Sequence, residues 1–331
     1  MNKNILITGG AGYIGSHISY NLIEKGYKVF IIDNLSTGYK SLINKKSIFY
    51  NKDIKNCNFL KRVILKNKIK TIMHLAASLS VVESSVRPNL YFDNNVLGTI
   101  SLMKAATSSG VKNIIFSSTS AVYGTQKNGK ISEEHPKNPI SNYAITKLIC
   151  EDIIKFYSKN FDINYAILRY FNVAGAAWRS NIGCLNNIGQ LFKNISKSII
   201  NKKNYIHIYG DNYTTRDGTC VRDYIHVADI SNIHLKTLKY IQNKKKSLEF
   251  NCGYGNGFSV LDIIKTFEKV SGVKIKKIIK SRRSGDTERS VCDISLLKKL
   301  IKFEPKYNSI VQMVEDSLIW EKMCLKKKKL T

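Results

Sequence analysis

Tyr143 and Lys147 stand four residues apart in the segment SNYAITK, a spacing at which a phenol and an ammonium group could act together. Residues at positions i and i+4 lie on the same face of a helix. A phenol with a pKa of about 10 is a poor base at neutral pH, but a positive charge beside it favours the phenolate. The pair could therefore transfer a proton. In a chain with 53 lysine and arginine residues such pairs also arise by chance. The rest of the sequence therefore has to show whether this pair is functional.

A glycine-rich segment near the N-terminus, TGGAGYIG, predicts a dinucleotide site. Gly9, Gly12 and Gly15 follow a short β-branched run and open a helical pattern, where glycines permit a sharp turn and let the backbone approach a pyrophosphate. Asp33 ends the next predicted strand. A carboxylate there accepts hydrogen bonds from ribose hydroxyls and repels a 2′-phosphate, so we predict NAD rather than NADP. The alternative is a flexible turn followed by an unrelated aspartate.

Small and polar residues also follow the later predicted strands. Asp53 and Ile54 could hold an adenine ring, and the small residues of HLAA (74–77) lie where the backbone would pass the cofactor. Ser117 to Thr119 end another strand, where a hydroxyl can bond a reacting oxygen. We expect His74, which follows an apolar run, to be a packed residue rather than a base.

Short strand patterns alternate with helical patterns through the first half of the chain. This alternation predicts an α/β fold, a Rossmann-type doubly wound parallel sheet whose ligands bind beyond the carboxyl ends of the strands. The alternation of strands and helices becomes less regular after Asn172. We therefore predict an NAD-binding domain over 1–172 and a smaller mixed α/β substrate-binding domain over 173–331. A later return of the chain to the first domain is left open. The predicted strands are 5–8, 28–33, 48–54, 71–77, 113–119, 163–172 and 205–210, and the predicted helices include 15–26, 190–202 and 259–272.

Composition restricts the class of protein. The formal net charge of +29 would suit a nucleic-acid partner, but the lysines lie along the whole chain rather than in one block, so we attribute them to compositional drift and expect no nucleic-acid partner. No apolar run approaches the roughly 18 residues of a membrane helix, so we expect no membrane association. The seven cysteines are scattered and never form CxxC, which favours a cytoplasmic protein without a metal site.

Several motifs together resemble a known family over nearly the whole chain. TGGAGYIG, SSTSAVYG and YAITK resemble the extended short-chain dehydrogenase/reductase superfamily, and LRYFNVAG, YGDNYTTRDGTCVRDYIHV and RRSGD narrow the resemblance to the UDP-glucose 4-epimerases. The resemblance implies NAD-dependent interconversion of UDP-glucose and UDP-galactose. The sugar would be oxidised at C4, the 4-keto sugar would turn over in the site, and hydride would return to its other face. Lys147 and the positive nicotinamide would both favour the phenolate of Tyr143.

The resemblance also implies roles residue by residue. Tyr143 would accept the proton of the sugar 4-hydroxyl, Lys147 would assist it and bond the nicotinamide ribose, and Thr119 would bond the 4-oxygen. Arginine suits the diphosphate through its forked donors. The implied cofactor contacts are Gly9, Gly12, Tyr13, Ile14, Gly15, Asp33, Asn34, Asp53, Ile54, Leu75, Ala76, Ala77, Asn95, Ser117, Tyr143, Lys147 and Tyr170. The implied substrate contacts are Thr119, Tyr143, Asn172, Gln190, Leu191, Tyr209, Arg222, Tyr224, Arg283, Asp286 and Ser290.

Some positions depart from the family pattern. Cys184 stands where an acidic residue often follows IG, and Leu79 replaces a lysine that some members direct toward the cofactor phosphates. Gln190 stands where the family has Asn or His near the nucleotide, with Asn187 as the alternative. Ser290 occupies the position whose bulk limits the sugar C2 substituent. We hypothesise that this small residue also admits UDP-N-acetylglucosamine, unless neighbouring residues fill the space.

Other functions on the same fold remain as alternatives. Nucleotide-sugar 4,6-dehydratases and UDP-glucuronate decarboxylases carry an acidic residue in patterns such as TDEVYG, but Ala121 stands there in TSAVYG, which disfavours both. A non-catalytic NAD sensor or RNA-binding protein would not need Tyr143, Lys147 and Thr119. The resemblance implies a homodimer built from helices over 95–110 and 144–160, although their apolar residues would equally suit burial within one chain.

Overall fold

The computed structural model describes residues 2–126, 129–186, 190–283 and 285–328. Its strands are β1 (Asn4–Thr8), β2 (Lys28–Asp33), β3 (Ile48–Asn51), β4 (Thr71–His74), β5 (Asn113–Thr119), β6 (Asn164–Tyr170), β7 (Asn172–Ala174), β8 (Tyr205–Tyr209), β9 (Val221–His226), β10 (Leu248–Cys252), β11 (Gly257–Ser259), β12 (Lys276–Lys280) and β13 (Arg289–Ser290). Its helices are α1 (Tyr13–Glu24), α2 (Cys57–Lys66), α3 (Val81–Val86), α4 (Pro88–Tyr91), α5 (Gly98–Ser108), α6 (Asn142–Phe161), α7 (Leu191–Ile200), α8 (Val227–Lys244), α9 (Val260–Ser271), α10 (Ser295–Ile301) and α11 (Ile310–Lys328). A π-helical segment, Phe92–Leu97, leads into α5, and short 3-10 turns lie at Lys40–Leu42, Ser120–Tyr123 and Trp178–Ser180.

Seven strands form one parallel sheet in the order β10-β6-β5-β4-β1-β2-β3. Alternate residues of β1 enter different apolar clusters, Ile5 and Ile7 on one side and Leu6 on the other, because helices cover both faces of the sheet. The predicted Rossmann-type fold is therefore confirmed. The predicted strands 28–33 and 113–119 have the bounds observed for β2 and β5.

The direction of strand order reverses between β1 and β4, which are neighbours in the sheet. Ligands of doubly wound sheets bind at such a reversal, beyond the carboxyl ends of the strands. Gly9 follows β1 there, and Leu75 follows β4. This edge of the sheet is consequently the place where the predicted cofactor residues should meet.

Residues after Asn172 contribute to both the large sheet and smaller ones. β9 pairs with β7, β11 and β13, and β8 pairs with β12, which makes two small sheets. β10 then returns to the large sheet beside β6, and α8 packs on α1. At Asn172, where the predicted strand–helix alternation loosens, the chain forms β7, which pairs with β9.

Helix α6 carries the Tyr–Lys pair, and its ends follow from local chemistry. The Oγ atom of Ser141 accepts a hydrogen bond from the backbone N–H of Ala144 at 3.2 Å, which caps the first turn. Asp162 ends the helix in the left-handed conformation. Within the described ranges, no helix has both the length and the apolarity needed to cross a membrane.

Candidate functional site

Tyr143, Lys147 and Thr119 come together near the carboxyl end of β5. Helix α6 places Tyr143 and Lys147 one turn apart, and the Tyr143 phenol is hydrogen-bonded to the Thr119 side chain. Lys147 is 3% exposed, and its Nζ atom lies 4.1 Å from the centre of the Phe116 ring. The three residue types needed for proton transfer at a sugar hydroxyl therefore occupy one place in the fold.

The ionisation of this cluster depends on burial. Burial raises the pKa of Tyr143 to about 12, and the hydrogen bond with Thr119 acts in the opposite direction. Burial lowers the pKa of Lys147 to about 8, which Cys150 and Glu151 oppose. From the sequence we expected Lys147 and the nicotinamide together to lower the pKa of the Tyr143 phenol. In the chain without its cofactor, the pKa of this phenol is raised instead. A positive charge brought by the cofactor would have to supply the activation.

The glycine loop, the end of β2 and the segment after β4 line one cleft. Gly9 has a φ of +74°, and a Cβ atom there would lie 2.6 Å from the backbone nitrogen of Ala76. Only glycine allows these two chain segments to approach so closely. Gly12 precedes α1 without a side-chain cap, so the first turn keeps backbone N–H groups that suit a phosphate.

Asp33 presents an acceptor to the same cleft. Its carboxylate is 8% exposed and accepts hydrogen bonds from the backbone N–H groups of Ala11 at 3.0 Å and Leu35 at 2.8 Å. Burial raises the pKa of Asp33, and these two bonds oppose the rise. A Cβ atom at Gly38 would lie 2.9 Å from the carboxylate. The acceptor, the glycine loop and the helix N-terminus fit the adenosine diphosphate half of NAD.

Most of the predicted cofactor residues line this cleft. They are Gly9, Gly12, Tyr13, Ile14, Gly15, Asp33, Asn34, Ile54, Leu75, Ala76, Ala77 and Ser117. The Tyr13 hydroxyl, however, donates to the Gly175 carbonyl at 2.6 Å, so this side chain ties the glycine loop to the segment after β7. Ser117 is hydrogen-bonded to Tyr170, which lies close to Tyr143, so the cleft leads toward the cluster of Tyr143, Lys147 and Thr119.

Three predicted cofactor contacts have hydrogen-bond partners within the chain. Asn95 is 2% exposed, and its amide bonds the backbone of Ser78 and the hydroxyl of Thr146. The Tyr170 hydroxyl lies 2.7 Å from Nε2 of His234. Asp53 accepts from the Asn34 amide at 3.0 Å. These three side chains, like those of Tyr143 and Lys147, lie outside the lining of the cleft, and their contact with the cofactor stays a prediction.

Other residues of the cleft were missed from the sequence. They are Ser36, Thr37, Gly38, Lys52 and Asn186, together with Leu79, which had been noted only as a departure from the family pattern. Several of them follow strand ends, so position after a strand was the available signal. His74 is a packed residue, as predicted. Its ring nitrogens lie 2.8 Å from the Thr8 hydroxyl and 3.0 Å from the Thr99 hydroxyl, and burial lowers its pKa to about 3.

A second cleft of about 480 Å³ lies between α7, β8 and β9, a size suited to a small ligand. The Arg283 guanidinium stacks 3.6 Å from the centre of the Tyr209 ring, and Nη2 of Arg222 lies 3.7 Å from Oδ1 of Asp286. The cleft therefore combines an aromatic face with two cations. The predicted substrate residues that line it are Asn172, Gln190, Leu191, Tyr209, Arg222, Tyr224, Arg283 and Asp286.

Further residues of α7, of β8 and of the segment before β9 line the second cleft without having been predicted. They include Asn194, Lys197, Tyr205, His207 and Cys220. In the described part of the chain β8 pairs only with β12, so its other edge leaves backbone donors and acceptors for a ligand. No motif in the sequence marks such an edge, because it depends on which strand lies beside β8.

Gln190 lines both clefts and so marks their junction. Its Oε1 atom accepts a hydrogen bond from the Cys184 thiol at 3.2 Å, and burial raises the pKa of Cys184 to about 12, which keeps the thiol as a donor. Asn187, the alternative to Gln190, lies outside the described residues. Ser290 is half-buried and stands opposite Arg222 in the register of β13 and β9, outside the lining of either cleft.

Comparison with known proteins agrees with this geometry. A family model described as GDP-mannose 4,6 dehydratase matches residues 6–316. A UDP-glucose 4-epimerase of Lactobacillus helveticus is 38% identical over 319 residues, which covers 96% of this chain and 97% of that protein. Among solved structures, the UDP-glucose-4-epimerase of Stenotrophomonas maltophila, with bound NAD and formylated UDP-arabinopyranose, is similar with a TM-score of 0.94 at 33% identity, covering 98% of this chain and 99% of the other. The UDP-Glc/GlcNAc 4-epimerase of Campylobacter jejuni has a TM-score of 0.83 at 38% identity and covers 97% and 99%.

The first cleft fits a dinucleotide and lies beside a Tyr–Lys pair, and the second cleft, next to it, contains two arginines. These features define an NAD-dependent enzyme of the extended short-chain dehydrogenase/reductase superfamily. Within it, and within the family whose model matches residues 6–316, the chain belongs to the UDP-glucose 4-epimerases.

Proposed function

We propose that this enzyme interconverts UDP-glucose and UDP-galactose at a site formed by Tyr143, Lys147 and Thr119. The observation that carries the proposal is the position of Gln190, which lines both the dinucleotide cleft and the arginine-containing cleft. A nucleotide sugar held in the second cleft would thus reach toward a cofactor held in the first. The division at about residue 172, with NAD held mainly before it and the UDP-sugar mainly after it, belongs to the same proposal.

Bound NAD supplies a group that accepts hydride from the sugar C4 and later returns it. Tyr143 removes the proton of the 4-hydroxyl and gives it back to the 4-oxygen after the sugar has turned over. Thr119, already hydrogen-bonded to Tyr143, holds the 4-oxygen beside the phenol. Lys147, buried one turn further along α6, adds a positive charge that favours the phenolate.

The second cleft anchors the nucleotide while the sugar stays mobile. Arg222 and Arg283 bind the diphosphate through forked donors, and Asp286 accepts from a ribose hydroxyl. The free edge of β8 suits the polar edge of a planar base, and Tyr209 with Asn172 and Leu191 completes the walls. Because these contacts reach the nucleotide and not the sugar ring, the 4-keto sugar can rotate between the two transfers.

Dehydratase chemistry is disfavoured by Ala121, the residue two positions after the strand-end hydroxyl of Thr119. Dehydratases need an acid there for chemistry beyond C4 oxidation, but Ala121 contributes only its backbone N–H, which donates to the Thr119 hydroxyl at 3.2 Å. We therefore propose epimerisation and not elimination.

A substrate panel tests the function. Purified protein is given UDP-glucose, UDP-galactose and both N-acetyl forms, and bound nicotinamide is measured after denaturation. We expect about one NAD per chain and conversion in both directions to the same equilibrium mixture. Absence of turnover with NAD bound would contradict the proposal, and a salt-sensitive affinity for RNA in that case would favour the binding-protein alternative.

Ser290 supports a second proposal on substrate range. Its small side chain stands beside Arg222 in the small sheet, so it could leave space for a C2 acetamido group. The similar Campylobacter jejuni protein is named for both UDP-Glc and GlcNAc. We propose that UDP-N-acetylglucosamine is also epimerised.

We also propose that the enzyme is a cytoplasmic homodimer. Large apolar side chains are exposed on the π-helical segment and on α6, with Leu97 51% and Phe156 62% exposed, as an interface would require. The cysteines form no disulfide among the described residues, which suits a reducing compartment. Light scattering of the purified protein tests the dimer, because a molar mass near 37.5 kDa would contradict it.

A further inference from the structure

A buried ion pair lies one helical turn beyond Lys147. Tyr143, Lys147 and Glu151 follow one another at intervals of four residues, so they share one face of α6. Glu151 and Arg169 are both 0% exposed. Nε of Arg169 donates to Oε1 of Glu151 at 2.9 Å, and Nη2 donates to Oε2 at 2.7 Å, which makes a two-pronged contact between α6 and β6.

The same carboxylate also holds β5. The Ser118 hydroxyl donates to Oε1 of Glu151 at 2.5 Å. Ser118 and Arg169 stand opposite each other in the register of β5 and β6, and the next pair is Thr119 with Tyr170. Glu151 therefore fixes α6 against the two strands at the residues that immediately precede Thr119 and Tyr170.

The contacts of Arg169 continue to the turn after Thr119. Nη1 of Arg169 donates to the Tyr123 hydroxyl at 3.0 Å, and Nη2 also pairs with Glu249 on β10. The Tyr123 hydroxyl in turn donates to the Asn251 side chain at 2.8 Å. A network whose buried charges are all partnered is rigid, and the loss of one member leaves another charge unpaired.

Glu151 is the carboxylate among the groups that affect the pKa of Lys147. Tyr143 and Cys150 on α6 and His74 on β4 are the other titratable groups beside it. Burial raises the pKa of the Cys150 thiol and lowers that of His74 to about 3, so both are neutral near pH 7. Cys150 and then Glu151 oppose the effect of burial on the pKa of Lys147, and while the Cys150 thiol is protonated the negative charge is that of Glu151. The other titratable groups of this network are Arg169, Glu249 and Tyr123. Arg169 bonds Glu151 directly and links it to Tyr123 and Glu249.

We propose that Glu151, through Arg169 and Ser118, is the positioning residue of the catalytic helix, and that its negative charge supports the Lys147 ammonium group. The proposal rests on the proposed epimerase function. It assigns Glu151 no contact with substrate or cofactor, since the carboxylate is fully buried and bonded within the chain. Its effect reaches the reaction through the spacing of Tyr143 and Thr119 and through the charge of Lys147.

Two substitutions with a matched control test the proposal. Glu151→Gln keeps the shape and removes the charge, and Ser118→Ala removes one hydrogen bond without leaving a buried charge unpaired. Asp162→Asn is the control, because Asp162 ends the same helix and pairs with Lys112 at 2.8 Å but is exposed. The readouts are kcat and KM for UDP-glucose, the pH dependence of kcat and the thermal midpoint. Turnover by the wild type and by Asp162→Asn checks the epimerase function separately.

For Glu151→Gln we expect kcat to fall by about 100-fold, as small displacements of reacting groups do, with KM nearly unchanged because the nucleotide is held elsewhere. We also expect the alkaline limb of the profile of kcat against pH to shift to lower pH by about one unit, because Lys147 loses its anionic neighbour. Ser118→Ala should lower kcat by about tenfold without moving that limb. Wild-type kcat and pH profile in Ser118→Ala and in folded Glu151→Gln would overturn the proposal. If Glu151→Gln does not fold, wild-type kcat in Ser118→Ala alone overturns the positioning role.

Discussion

The ammonium group of Lys147 lies 4.1 Å from the centre of the Phe116 ring, on the buried face of α6. The electron-rich face of the ring attracts a cation and contains no hydrogen-bond acceptor that would compete with a ligand. Phe116 is the residue before Ser117 on β5, so the strand that ends in Thr119 also supports the lysine. This pair fixes where the positive charge stands before any cofactor binds.

The pKa of Lys147 predicts how NAD binding depends on pH. Burial lowers that pKa to about 8, below its value in the unfolded chain, so the cofactor-free protein loses the ammonium proton as the pH rises through about 8. If the ammonium bonds the nicotinamide ribose, NAD affinity should fall by up to about tenfold per pH unit above that point. Titration of cofactor-free protein with NAD at several pH values measures this.

The Lys147→Met variant should bind NAD weakly already at neutral pH, and its affinity for NAD should not fall further as the pH rises. The exposed Lys104→Met is the control and should behave like the wild type. A wild-type affinity that stays constant through this range would show that the Lys147 charge is not used in binding.

Arg283, which lines the second cleft, and the adjacent Arg282 offer a matched pair for testing the diphosphate site. Both guanidinium groups stack on a tyrosine, Arg283 on Tyr209 at 3.6 Å and Arg282 on Tyr213 at 4.1 Å, but only Arg283 lines the cleft. Because lysine cannot reproduce the planar fork, Arg283→Lys should raise KM for UDP-glucose by about tenfold with little change in kcat, whereas Arg282→Lys should leave both constants near wild type. Steady-state kinetics decides, and an equal effect of the two substitutions would remove Arg283 from the proposed diphosphate site.

Asp33 should determine the preference for NAD over NADP. Its carboxylate is held by the backbone N–H groups of Ala11 and Leu35 and lines the cofactor cleft, where Lys52 lies as a neighbouring cation. Asp33→Asn removes the charge that would repel a 2′-phosphate, so we expect the ratio of NADP to NAD affinity to rise by about tenfold or more. Competition binding of the two dinucleotides measures the ratio. Glu24→Gln, an exposed carboxylate at the end of α1, serves as the control, and an unchanged ratio in Asp33→Asn refutes the role.

Ser290→Tyr should separate the two proposed substrates. A bulky side chain beside Arg222 would take up space for a C2 acetamido group while leaving room for a hydroxyl. We expect kcat/KM for UDP-N-acetylglucosamine to fall by about 100-fold and that for UDP-glucose by less than about threefold. Parallel assays of the two sugars give this comparison. If the wild type turns over UDP-glucose but not the acetamido sugar, the wider substrate range is excluded.

Local patterns predicted the elements that carry the site, because their signals are contained in a few adjacent residues. The β-branched runs placed β2 and β5 with their observed bounds, and Asp33 and Thr119 end those strands as expected. The helix predicted over 259–272 coincides with α9 because Ser259 and Asp262 form a capping box and Gly272 adopts a left-handed conformation.

Contacts between distant segments were not predictable from the same patterns. No local pattern showed that the polar groups of Asn95 and Tyr170 bond Thr146 and His234, which are far away in the chain. The pairing of Glu151 with Arg169 likewise depends on how α6 crosses β6. Strand ends indicate where polar side chains gather, whereas tertiary packing decides which of them reach a ligand.

The conversion of UDP-glucose to UDP-galactose by the wild type and Tyr143→Phe, compared at equal bound NAD, tests the central claim most directly. The substitution removes only the hydroxyl that bonds Thr119. We predict that the variant retains NAD and loses turnover by about 100-fold or more, since the proton at the 4-oxygen then has no acceptor. Turnover close to wild type in Tyr143→Phe would contradict the account.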